Sequence, residues 1–154
     1  MSSPNSNKFS AAERCSSAAK IESMNYLLTH QRIEFEIPDQ WWAAAGMNGW
    51  KSNASFYVAY SYSQYPTTIV SLSEVEAPIR NKNVAWFNEQ RMVDVLRGFR
   101  VGDKLPPIEV NELPTDTGFR YRVRDGFHRY YASVAVGFTQ LPVSVRPYFD
   151  INAL

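Results

Sequence analysis

Asp125, Gly126, Phe127, His128 and Arg129 place a carboxylate, a glycine, an imidazole and a guanidinium on consecutive stretches of one short segment. They fall where the alternating stretch Phe119 to Arg124 gives way to the helix-forming run Arg129-Tyr130-Tyr131-Ala132. A strand that turns into a helix here gathers these groups at the helix's first turn. Backbone N–H groups there have no intrahelical acceptor and the helix dipole is positive, which suits an anion and above all a phosphate. Arg129 can fork two phosphate oxygens, adding to backbone donors around Gly126, Phe127 and His128; the alternative is an ion pair with Asp125. His128 can donate to a phosphate oxygen, move a proton near neutral pH, or serve as a partly buried structural ring. Asp125 reads as a side-chain cap of the helix in preference to a metal ligand. Gly126 lets the backbone approach a ligand closely, or makes the turn, or both.

Other charges surround this segment. Arg120, Arg122 and Arg124 alternate with Phe119, Tyr121 and Val123. On a strand that puts three guanidiniums on one face, about 7 Å apart, comparable to phosphates along a nucleic-acid strand. The equal alternative is a solvated face whose arginines pair with cross-strand carboxylates such as Glu109. Arg80, Arg97, Arg100 and Lys104 lie around the adjacent helix and loop, and Arg80 is the expected second phosphate ligand. Glu74, Glu76, Glu89 and Glu109 are candidate ligands for Mg²⁺, or candidate bases, but their spacing is not diagnostic and the metal ligands stay unassigned. Trp41, Trp42, Trp50, Tyr57, Tyr60 and Tyr62 could stack bases. Packing of an N-terminal extension, or a protein contact, is the preferred reading of that aromatic set.

Periodicity supplies the elements that would hold these groups. Residues 1–23 read as a flexible Ser-rich leader, with a short helix over 10–22 as the alternative. Residues 24–66 read as an extension packed on the core. In it Ile33, Phe35 and Ile37 alternate with Glu34 and Glu36 as a half-buried strand does. Pro38 and Asp39 then open a helical turn through Ala45, stopped by Gly46. After a polar loop over 47–55, Phe56, Val58, Tyr60 and Tyr62 predict the inward face of a second strand. Residues 67–154 read as the main domain. It begins with a strand over 67–72 and a helix over 86–98, where Met92, Val95, Leu96 and Phe99 share a face and Gly98 suits the C-terminus. Strands over 107–111 and 119–124 flank a turn at 113–118. A helix over 127–136 buries Ala132, Ala135 and Val136 and ends at Gly137, and a last strand covers 141–145. The fold class is α+β, a small mixed sheet with packed helices plus an aromatic-rich β extension.

Composition sets outer limits. A chain of 154 residues forms one domain, or one domain with an extension, and can bury a sizeable core. Its net charge is only +1, so any nucleic-acid affinity must come from local clustering. The single cysteine, Cys15, cannot form an intramolecular disulfide, and with two histidines the chain lacks a four-cysteine or His-rich zinc set. The longest apolar run is Trp41 to Met47, too short for membrane insertion, and the first twenty residues hold no apolar signal core. A cytoplasmic location is the expectation.

The order of these pieces resembles the ParB/sulfiredoxin-like superfamily over about Thr67 to Arg146. Four segments match in sequence: the opening strand with Leu72-Ser73-Glu74, Pro78 to Arg80, Pro106-Pro107-Ile108-Glu109-Val110, and Gly126-Phe127-His128-Arg129-Tyr130-Tyr131-Ala132. The resemblance implies binding of a nucleoside triphosphate or nucleic acid at the G-x-x-R turn, with Arg80, Asp125, Gly126, Phe127, His128 and Arg129 as the phosphate or nucleotide site. It implies His128 and Arg129 as catalytic residues, ATP or another nucleotide as ligand, and Mg²⁺ as a cofactor. Sulfiredoxins carry their nucleophilic cysteine where this chain has Phe127, which argues against sulfinic-acid repair. Free-serine kinases of the fold carry an Asp-Gly-His-His-Arg turn with a glutamate base, and here Ile79 or Arg80 stands at the base's position, leaving Glu74 or Glu76 as the alternative base. Chromosome-partitioning members add a downstream helix-turn-helix domain, and with 25 residues following Arg129 a centromere-type clamp is not the expectation. What remains is similar to stand-alone ParB-like nucleases and to plasmid fertility-inhibition proteins with ATPase and DNase activity. The alternative is an inactive binding module that contacts a protein partner through its aromatic extension.

Overall fold

The computed structural model describes residues 23–28, 33–62, 64–80, 83–114 and 118–147. The leader over 1–22, most of the closing tail and part of the 113–118 turn lie outside them. Among the described residues the chain is α+β, with a two-stranded sheet, a five-stranded mixed sheet and three α-helices. None of the helices is long and apolar enough to cross a membrane.

Strand β1 (Ser23–Leu28) pairs antiparallel with β2 (Ile33–Pro38), with Tyr26 opposite Phe35. The alternation read for β2 sets its burial: Phe35 and Ile37 are buried while Glu34 and Glu36 are exposed. Helix α1 (Asp39–Ala44) follows from Pro38, and the chain leaves it through Gly46 at φ 74°. The strand expected over 56–62 is a correction. That segment makes one parallel bridge, Ala59 to Leu105, with Tyr60 N–H donating to the Leu105 carbonyl at 3.0 Å and Leu105 N–H to the Val58 carbonyl at 3.1 Å. Its burial also has the opposite parity, with Tyr57 inside and Val58, Tyr60 and Tyr62 exposed. Tyr57 wins the interior because its ring stacks on Phe99 at 5.2 Å and its hydroxyl reaches the Pro106 carbonyl at 2.6 Å.

The larger sheet runs β3 (Thr67–Ser71), β7 (Gln140–Arg146), β5 (Ile108–Glu112), β6 (Tyr121–Asp125), β4 (Val75–Glu76) in spatial order. β7 lies antiparallel to β3 and parallel to β5, β5 is antiparallel to β6, and β6 is parallel to β4. Two of the three interior strands carry the apolar residues that such a position demands: Ile108 and Val110 on β5, Leu141 and Val143 on β7, all fully buried.

Helix α2 (Glu89–Val101) starts and stops later than the apolar spacing alone indicates. Its start is set by the Asn88 side chain, which accepts the Arg91 N–H at 3.0 Å. Its end is set by Gly102 in the left-handed region, with the Gly102 and Asp103 N–H groups closing on the Gly98 carbonyl. Gly98 is thus a helix-interior residue, not the terminus expected. A Cβ there would lie 3.1 Å from the Leu105 side chain, so glycine admits the returning chain against the helix. Helix α3 (Phe127–Val136) has the bounds the sequence indicates and is buried on more than one face. Tyr130, Tyr131, Ala132 and Ser133 are all fully inside, and Val136 only partly so. One core cluster joins α3, α2 and the central strands to Phe35, Ile37, Ala45, Met47 and Tyr57, so the N-terminal extension shares its interior with the main sheet.

Candidate functional site

Strand β6 ends at Asp125, and α3 begins two residues later. Gly126, at φ 117° and ψ 33°, makes this reversal possible. A Cβ at that position would meet Ile108 Cα at 3.3 Å, Ile108 Cγ1 at 3.2 Å and the Arg129 guanidinium at 3.2 Å. Both the backbone angle and the packing therefore demand glycine. Asp125 does not cap the helix: Gly126 is the N-cap, and among the described residues no side-chain cap bond is made there, which corrects the capping role expected of Asp125. The Asp125 carboxylate instead lies 3.6 Å from Arg129 Nη2. The first residues of α3, Phe127, His128 and Arg129, line a cavity of about 310 Å³.

That cavity is lined by Arg80, Asp125, Gly126, Phe127, His128 and Arg129, the whole set expected at the turn, together with Arg91 and Asp94 from α2. Each arginine reaches it on a separate support. Arg80 follows Pro78, whose carbonyl accepts the Tyr131 hydroxyl at 2.6 Å, and its guanidinium lies 4.2 Å over the Phe127 ring. The Arg80 Nε is buried and has no hydrogen-bond acceptor among the described residues. Arg129 donates from Nη1 to the Pro106 carbonyl at 3.2 Å, the same oxygen that accepts the Tyr57 hydroxyl. Burial raises the Tyr57 hydroxyl's pKa and the nearby Arg129 charge opposes that rise, so it stays protonated and donating. Arg91 comes from the first turn of α2. Asp94 is partly spent on its own helix, accepting from Gln90 at 2.9 Å and from Arg97 at 3.2 Å.

His128 is buried, and its Nε2 accepts the Asn88 N–H at 2.8 Å. Burial, reinforced by Arg80, Arg91 and Arg129, lowers its pKa from 6.5 to about 4. The ring is therefore neutral near pH 7, with its proton on Nδ1 and its basic nitrogen committed to the backbone. It ties the start of α2 to the start of α3, and so holds Arg91 in register with Arg129. The rings of Phe87 and Phe127 flank it at 5.7 and 5.8 Å.

The other candidates lie elsewhere. Arg120, Arg122 and Arg124 form a comb of ion pairs with Glu74 at 3.5 Å, Glu76 at 2.8 Å and Glu109 at 3.8 Å. The paired, solvated face is thus the arrangement observed, and it also engages three of the four glutamates considered for metal binding. Among the described residues no three His, Cys, Asp or Glu side chains gather as a metal site. Of the aromatic set, Trp41, Trp42 and Trp50 pack half-buried against the core and Tyr57 lies within it, while Tyr60 and Tyr62 are exposed. Sequence reasoning missed Arg91, Asp94 and Asn88. The available signal was the i, i+4 relation of Arg91 to Val95, which places the arginine on the side of α2 that meets the cavity. Compared with known proteins, the chain matches no family model and no curated protein.

Proposed function

We propose that this chain binds the phosphate of a nucleotide or nucleic acid in the cavity at the start of α3. The observation that carries the reading is the convergence of Arg80, Arg91 and Arg129 with the start of α3 on one open cavity, where Arg80 keeps a buried Nε without an acceptor among the described residues. A phosphate supplies acceptors to guanidiniums and backbone N–H groups together, which a surface carboxylate at 3.6 Å from one arginine does not. The order of β3, α2, β5, β6, α3 and β7 supports the ParB/sulfiredoxin-like resemblance as part of this proposal.

Within that reading, ATP or DNA hydrolysis of the kind found in stand-alone and plasmid fertility-inhibition members is the fuller form. Asp125, largely exposed at the cavity edge, would hold Mg²⁺ beside bound phosphates, and the ion would neutralise their charge. Pure binding is the second reading, and His128 favours it: the imidazole nitrogen that would take a proton from water already accepts the Asn88 N–H. A cytoplasmic location goes with either form.

Calorimetric titration of ATP and CTP with Mg²⁺ tests the proposal, using wild type and Arg129→Ala. Loss of one charge-assisted contact should weaken binding by about 10- to 100-fold. Absence of nucleotide and DNA binding by folded wild type would refute it, and phosphate release from the same samples separates hydrolysis from binding.

A further inference from the structure

A second cavity, of about 360 Å³, opens where β2 meets α1 and the loop before α2. Trp41, Trp86 and Phe87 line it, together with the exposed Glu34 and Glu36. Among the described residues it shares no lining residue with the phosphate cavity. The two differ in sign: the first is lined by three arginines, while among the described residues no lysine or arginine lines the second. The Glu34 side chain is exposed, and it makes no ion pair among the described residues.

The rings are fixed by mutual packing. Trp86 meets Phe87 edge-on at 6.2 Å and 85°, and Phe87 meets Phe35 edge-on at 6.0 Å and 80°. Perpendicular rings turn their negative faces in different directions, so a group entering beside them meets more than one π surface. Aromatic faces and carboxylates attract the same kind of ligand, an organic cation. A nucleobase could also stack on these rings, but its attached phosphates would face two carboxylates. Among cations a guanidinium suits both features at once, since it stacks flat on a ring while its edge forks a carboxylate. The fold contains this stacking already, with Arg80 over Phe127 and Arg146 over Tyr65 at 4.1 Å.

We propose that this aromatic, acid-rimmed cavity receives an arginine side chain from a partner protein. The inference is independent of the phosphate reading, because the two sites differ in lining and in charge.

The test is a titration of the full chain with a short acetylated, amidated peptide holding one arginine, against the same peptide with citrulline. The readout is tryptophan fluorescence, with Trp indole N–H shifts locating the response. Citrulline keeps the shape and removes the charge. The expected result is saturable binding of the arginine peptide in the millimolar range, with about tenfold weaker binding of the citrulline peptide. Glu34→Gln should weaken the arginine peptide several-fold, and Glu34→Lys should abolish its binding. Both changes fall on an exposed side chain, and circular dichroism would verify that the fold is intact. Equal affinity for the two peptides, the absence of saturable binding, or guanosine binding that Glu34→Lys leaves unchanged would each overturn the proposal.

Discussion

Replacing His128 with glutamine should flatten the acid side of the stability curve. His128 is the buried ring whose pKa falls from 6.5 to about 4, first through burial and then through Arg80, Arg91 and Arg129. The sign follows from proton uptake. Between pH 6.5 and about 4 the unfolded chain takes a proton on this ring while the folded chain does not, so stability is complete above that window and declines as pH falls through it. At pH 5 those two pKa values correspond to about 2 kcal/mol lost relative to pH 7.5. The adjoining cavity is open to water, which screens part of the effect, so about 1–2 kcal/mol is the working expectation. Glutamine keeps an acceptor for the Asn88 N–H but does not titrate. Urea unfolding of both proteins at pH 7.5, 6 and 5 measures the difference, and carboxylate titration, common to both, cancels. If wild type and His128→Gln lose the same stability between pH 7.5 and 5, the ring is not held neutral by its surroundings and its part in linking α2 to α3 is misread.

Two other perturbations have outcomes set by the geometry. Gly126→Ala forces a side chain into φ 117° and against Ile108 Cα at 3.3 Å, and should cost about 1–3 kcal/mol. Urea unfolding would show it, and a change near zero would mean that the turn can relax. Replacing Arg120, Arg122 and Arg124 together by alanine breaks ion pairs whose arginine side chains are 55–65% exposed, and should cost less than about 1 kcal/mol per pair. Nucleotide affinity should stay unchanged in this variant, and a large loss would relocate the phosphate site to the β6 face.

The local chain chemistry of this protein was legible in its sequence. The alternation before Asp125, the glycine after it and the helix-forming run beyond give β6, the turn and α3 with nearly their observed bounds. The hairpin of β5 with β6 and the inward residues of β2 follow from the same short-range periodicities. Gathering Arg80 with the Gly126 turn was also anticipated, although from resemblance and not from spacing.

Everything that depends on which surfaces meet had to await the tertiary structure. Tyr57 and Tyr60 are equally apolar in a sequence, yet only Tyr57 finds both a ring and a carbonyl inside. The arginines around β6 and those around the cavity read alike as cations. They differ because carboxylates of β4 and β5, and of the turn before β4, lie beside the first group, while the start of α2 brings Arg91 to the second. In the sequence His128 is open to ligand contact, proton transfer or a structural role, and only the fold shows Asn88, forty residues away in the chain, donating its N–H to the ring's Nε2. Backbone propensity and periodicity act over a few residues and so can be read in order. Burial, pairing and protonation are set by neighbours that only folding supplies.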